Sequence, residues 1–176
     1  THELEIEGIS THCEDNIDLI PKEFRGNEND TLVIYTPAVP KELKEFVYIR
    51  EKGFELCKRS QVLGLIASDK KCLAVAGTHG KTTTSTMLAH IFTHSQVGCT
   101  AFLGGISRNY DTNLLLSKSK YLVAEADEFD RSFLQLFPET AVITSTDADH
   151  LDIYNDHSTI KKAFAERIIP PTFSTC

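Results

Sequence analysis

One stretch limits the fold more than any other. A continuous apolar run, Cys72-Leu73-Ala74-Val75-Ala76, opens directly onto Gly77-Thr78-His79-Gly80-Lys81-Thr82 and then onto a helical pattern over residues 81–93. Apolar residues without polar alternation suit a strand covered on both faces, the interior of a parallel sheet. The glycines at 77 and 80 let the backbone turn tightly, so that successive N–H groups can face one anion. The helix start adds partial positive charge at the same point. Lys81 is then placed to reach the β- and γ-phosphates of a nucleotide, and the Thr82 hydroxyl to ligate Mg²⁺. Nucleotide contacts are accordingly expected from Gly77, Thr78, His79, Gly80, Lys81, Thr82 and Thr83, with ATP and Mg²⁺ as the ligands. Val75 stands where the longer phosphate-loop pattern has its first glycine, so only the shorter Gly-x-x-Gly-Lys-Thr core is present.

Around this loop the chain alternates short β-branched runs with helical patterns. Residues 31–36 read as a strand ending in the turn Pro37–Pro40, and residues 41–52 as a helix closed by Gly53. Further strands are predicted at 54–57, 99–103, 121–125 and 140–145, and helices at 60–68 and 158–167. The fold class is therefore α/β. A three-layer, parallel-sheet phosphate-loop ATPase domain is expected over 68–176, preceded over 1–67 by a Rossmann-like α/β domain. The polar link at 68–71 marks the expected boundary. Both domains read as partial: the first opens on a helix-like segment without a strand before it, and the last residues stop abruptly after a helix.

Charge narrows the function further. The net charge is −7, and residues 121–152 hold eight acidic side chains against one basic, Arg131, so the rest of the chain is balanced. Nucleic-acid binders usually carry a basic patch, and none stands out here. No apolar run approaches the ~20 residues of a membrane span, and no secretory leader pattern opens the chain. The five cysteines are scattered without CxxC spacing. They are expected to be reduced thiols of a cytoplasmic protein, with neither a disulfide framework nor a zinc site.

The acidic residues fall in two clusters, each after a strand-like run. Leu122-Val123-Ala124 delivers Glu125-Ala126-Asp127-Glu128-Phe129-Asp130, and residues 141–145 lead to Asp147-Ala148-Asp149-His150. Open α/β sheets bind ligands at the carboxyl ends of their strands, where a carboxylate can face the phosphates and hold the cation. A solvated acidic face would explain either cluster alone. Two of them, both at strand ends and downstream of a phosphate loop, favour the cation.

The longer string Ala76-Gly-Thr-His-Gly-Lys-Thr-Thr-Thr84 resembles the nucleotide loop of the Mur ligases, enzymes that build the peptidoglycan precursor peptide. Glu125-Ala-Asp-Glu-Phe-Asp-Arg-Ser-Phe-Leu134 and Ala148-Asp-His-Leu-Asp-x-Tyr154 are similar to two later signatures of that family. The resemblance implies an ATP-dependent amide ligase working through an acyl phosphate. Lys81, Glu125 and His150 would be its catalytic residues, and Thr82, Glu125 and His150 its metal ligands. The stretch from Gly104-Gly105 to Thr112-Asn113 resembles the family's loop near the substrate sugar and carboxylate, which makes Asn113 a candidate contact. Tyr35–Pro40 resembles a strand end near the UDP group of the substrate-binding domain, with Thr36 the candidate contact and Pro37 a departure from the pattern.

His79 points to the members that add L-alanine to UDP-N-acetylmuramate or re-attach a recycled peptide. The form Asp147-Ala148-Asp149-His150, where the recycling ligases are expected to show Tyr-Asp-His, favours L-alanine. Folylpolyglutamate synthase is disfavoured by His79. Among non-catalytic nucleotide switches, a GTPase would carry an Asn-Lys-x-Asp element, and the sequence has none. The similarity runs from residue 1 to about 166. It implies that the first turn of the UDP-binding domain precedes Thr1, and that the rest of the ATPase domain and a C-terminal domain follow Arg167. A fragment of this kind is expected to form no product alone.

Overall fold

The computed structural model describes residues 2–126 and 135–145. It forms two compact units, Thr1–Arg59 and Ser60–Cys176. The helix expected at 158–167 and the cluster Asp147–His150 lie outside the described residues.

The first unit holds a short helix α1 (His2–Ile6), strand β1 (Leu32–Tyr35), helix α2 (Lys44–Lys52) and strand β2 (Glu55–Lys58). The strands pair in parallel, from Leu32 opposite Glu55 to Tyr35 opposite Lys58. Leu43 stands at the N-cap of α2 and has no capping oxygen of its own. The Asp15 carboxylate serves instead, accepting the Lys44 and Glu45 N–H groups at 3.0 and 3.1 Å. Those two bonds hold its carboxyl below the usual carboxylate range. Gly53 ends the helix at φ +79°, where a left-handed residue returns its N–H to Arg50 and Ile49.

The second unit begins with helix α3 (Arg59–Ser68), then strand β3 (Lys71–Ala76), helix α4 (Lys81–His94), and strands β4 (Thr100–Ser107), β5 (Thr112–Leu115), β6 (Tyr121–Glu125) and β7 (Thr140–Ile143). Its sheet has the order β5-β4-β6-β3-β7. All neighbours are parallel except the β4–β5 pair. Strand β3, which feeds the glycine loop, lies between β6 and β7, and Val75 and Ala76 are wholly buried. That is the environment its unbroken apolar run called for.

Alternate residues build a core on each face of the sheet. Cys72, Ala74, Ala76, Leu122 and Ala124 pack with Leu63 and Ala67 of α3. Ala101, Leu103 and Val123 pack on the opposite side with Leu88, Ala89 and Phe92 of α4. Helix, sheet and helix thus make three layers, as expected of an α/β domain.

Two features differ from the sequence reading. The units divide at Arg59 rather than at the polar link 68–71, because α3 lies on the core of the second unit. Gly64 sits so close to the Gln135 backbone that an added Cβ would fall 2.5 Å from its carbonyl oxygen. Strand β4 also continues past Leu103 to Ser107 and returns as β5, with an irregularity between Phe102 and Ser107. Gly104 and Gly105, residues of little strand propensity, fall within that irregularity.

Candidate phosphate and cation site

The carboxyl ends of β3, β6 and β7 meet around the glycine loop. Gly77 leaves β3 at φ +126°, a conformation in which a side chain would be strained. An added Cβ there would also strike the Thr144 hydroxyl and the Ser145 backbone. Gly80 follows at φ +79° as the N-cap of α4. It contributes no side-chain cap, so the first turn of a 14-residue helix starts beside the loop with its N–H groups uncapped from that position. The Lys81 ammonium donates to the Gly77 carbonyl at 2.7 Å, folding across the loop.

Thr82 and Glu125 come together although 43 residues separate them. The Thr82 hydroxyl donates to Glu125 Oε1 at 3.0 Å, and the Gly104 N–H donates to Oε2 at 2.8 Å. The amide fixes one carboxylate oxygen and turns the other toward Thr82, as outer partners of metal ligands commonly do. Gly104 has to be a glycine for this: an added Cβ would overlap the Glu125 carboxylate. The pair suits magnesium in chemistry and in size. Both atoms are hard oxygens, and neighbouring ligands of an octahedral ion with ~2.1 Å bonds stand about 3.0 Å apart. Among the described residues no three His, Cys, Asp or Glu side chains cluster.

The other expected site residues are placed as follows. Thr78 is buried, His79 and Gly80 are exposed at the loop's tip, and Thr83 is exposed on the first turn of α4. Asn113 lies exposed on β5, the edge strand, with β4 and β6 between it and β3. Thr36 follows β1 in the first unit, its carbonyl accepting the Val39 N–H in a turn. His150 is outside the described residues.

Two residues that sequence reasoning passed over, Thr144 and Ser145, lie directly against the loop. Ser145 accepts the Thr78 N–H on its carbonyl at 3.1 Å and the His79 N–H on its hydroxyl at 3.2 Å. Its hydroxyl also pairs with that of Thr78 at 2.6 Å. The Thr144 hydroxyl reaches the carbonyls of Ala76, at 3.0 Å, and of His79. Their signal was available: both are hydroxyl residues at the carboxyl end of a strand expected beside the loop.

Residues 75–168 match the Mur ligase middle domain, more than half of the chain. The chain belongs to the Mur ligases. A UDP-N-acetylmuramate–L-alanine ligase of Phocaeicola vulgatus is 59% identical over 165 residues, which cover 93% of this chain and 36% of that protein. A ligase of the same name from Christiangramia forsetii is 52% identical over 166 residues, 94% of this chain and 37% of that one. The chain thus spans little more than a third of the length of these curated relatives. Among solved structures, the UDP-N-acetylmuramate-alanine ligase of Thermotoga maritima superposes with a TM-score of 0.79 at 33% identity, covering 96% of this chain and 38% of that one. The UDP-N-acetylmuramate:L-alanyl-gamma-D-glutamyl-meso-diaminopimelate ligase of Neisseria meningitides gives a TM-score of 0.83 at 26% identity, covering 97% and 57%. Family membership accounts for the fold on both sides of Arg59. No helix among the described residues is long and apolar enough to cross a membrane.

Proposed function

We propose that this chain supplies the nucleotide-binding part of an ATP-dependent amide ligase that joins L-alanine to UDP-N-acetylmuramate in peptidoglycan precursor synthesis. The reading rests on one observation: a phosphate loop faces the Thr82–Glu125 oxygen pair in a chain 59% identical to an L-alanine ligase over nearly its whole length. Identity separates the two candidate chemistries better than shape does. Both L-alanine and peptide ligases share the fold, and their TM-scores lie close together.

In this reaction a carboxylate oxygen of the sugar nucleotide attacks the γ-phosphorus, and the bond to the departing ADP oxygen breaks. The amine of alanine then attacks the carbonyl carbon of the acyl phosphate, phosphate leaves with the bonding pair, and the amine gives up a proton. The chain's share is positioning and charge. The start of α4 and the Lys81 ammonium receive the terminal phosphates and offset the charge on the group in transfer. Thr82 and Glu125 would hold Mg²⁺ through oxygen, with His150 the further ligand implied by its motif. Such an ion would supply positive charge to offset that of the phosphates. Gly104 keeps the Glu125 carboxylate in register. Thr36 and Asn113 are proposed contacts to the sugar nucleotide. ATP and the sugar nucleotide are cytoplasmic metabolites, so the reaction is placed in the cytoplasm.

The experiment is incorporation of labelled L-alanine by the full-length protein, with and without UDP-N-acetylmuramate, and with the L-Ala-D-Glu-containing tripeptide offered in parallel. ATP turnover should be slow alone, and alanine should enter product only when the sugar nucleotide is present. Preference for the tripeptide would move the assignment to peptide recycling. ATP consumption indifferent to both substrates would favour a non-catalytic nucleotide switch.

A further inference from the structure

The glycine loop is braced from one side by the end of β7. Ala76 and Thr144 are joined along the backbone, with the Thr144 N–H donating to the Ala76 carbonyl at 2.9 Å. One residue on, the Thr78 N–H returns to the Ser145 carbonyl at 3.1 Å. Between these bonds the Thr144 hydroxyl sits on two loop carbonyls, those of Ala76 and His79. A hydroxyl has one proton, and the Ala76 oxygen already accepts the Thr144 N–H. The His79 carbonyl, at the exposed tip, is the nearer of the two acceptors to the hydroxyl. Its direction also matters for function. A carbonyl dipole turned toward a polyphosphate opposes binding, whereas one tied back against β7 leaves the N–H groups of the following helix start to face the anion.

We propose that Thr144 is a positioning residue for nucleotide binding: its hydroxyl holds the His79 carbonyl against β7 and so fixes the loop in its anion-receiving form. Ser145 completes the brace, its carbonyl accepting the Thr78 amide and its hydroxyl the His79 amide. Thr144 itself touches no phosphate; it acts through the loop.

This proposal rests on the reading of the loop as a nucleotide site, and its test separates the two. Binding of a magnesium complex of a non-hydrolysable ATP analogue to the full-length protein is measured by calorimetry for the wild type, Thr144→Val and Thr144→Ser. Val keeps the shape and loses the hydroxyl, and should weaken binding by about tenfold, the worth of one good hydrogen bond. Ser restores the hydroxyl and should bind as the wild type does. In turnover, KM for ATP should rise in Thr144→Val while KM for the sugar nucleotide stays unchanged, a split that general loosening of the fold would not give. If Thr144→Val does not fold, Thr144→Cys replaces it, with a weaker donor of similar size. Wild-type affinity in the Val or Cys variant, or Ser as weak as Val, overturns the brace. Absence of analogue binding by the wild type would overturn the nucleotide reading together with it.

Discussion

Gly104 offers the sharpest test of the Thr82–Glu125 pair, because the structure predicts opposite outcomes at neighbouring glycines. An added Cβ on Gly104 would stand 2.5 Å from the Glu125 Cδ, whereas ordinary contact begins at 3.4 Å. The carboxylate has to retreat by at least about 0.9 Å, the difference between those two distances, because its Oε2 stands nearer still. It can do so, since it is the end of a flexible side chain, and the fold should survive. What is lost is the register between Oε1 and the Thr82 hydroxyl. Disturbing an outer partner of a metal ligand typically costs ~10–100-fold in metal affinity, or about 1.4–2.8 kcal/mol. Gly104→Ala in the full-length protein should therefore raise the Mg²⁺ concentration for half-maximal ligation by about that factor, with the melting temperature nearly unchanged. Gly105→Ala is the control. Its Cβ would meet only the Thr82 Cγ2 at 3.6 Å, an ordinary contact, and its magnesium titration should overlay the wild type. Phosphate release followed against Mg²⁺ at saturating ATP reads both. If Gly104→Ala titrates like Gly105→Ala, the Glu125 carboxylate does not hold the ion, and the proposed metal ligands are wrong.

Lys81→Ala should cut turnover by ~10²–10³, the loss of one group that stabilises transferring charge, while circular dichroism stays unchanged; near-normal turnover would remove Lys81 from the site. Burial pushes the Cys72 thiol up to about 11 and raises that of Cys99, whereas Cys13 is exposed. A thiol reagent at neutral pH should thus label Cys13 first and reach Cys72 and Cys99 only on unfolding, as peptide mapping would show. The Asp15 carboxyl is held low by the two amides of α2, so its stabilising effect is full above its unfolded value near 3.8 and fades as pH falls through the lower folded one. Asp15→Asn should therefore melt below the wild type at pH 7, with the gap closing under acid conditions; a gap independent of pH would mean that the charge of the cap is irrelevant.

How legible the site was follows from where its contacts lie along the chain. The loop and the helix behind it are local, so the run from Cys72 to Thr82 carried their chemistry openly. Glu125 lies far off in sequence, yet strands expose their carboxyl ends together, and an acid after an apolar run could be placed beside the loop by that rule. The hydroxyls of Thr144 and Ser145 obey the same rule but look like ordinary turn formers, because small polar residues end strands for many reasons. Only the contacts of Thr144 across 65 and 68 residues give them a purpose. Gly104 was misleading in the other direction. Paired glycines read as a loop, whereas here they continue β4, and one of them clears space for a carboxylate. Helix α3 was legible along the chain, but periodicity marks an apolar face and does not say which sheet will cover it; here Leu63 and Ala67 lie on the core of the second unit. Glycine, serine and threonine thus carry much of the information that the sequence conceals. Their chemistry is generic, and their role at this site is set by what the fold brings within 3 Å of them.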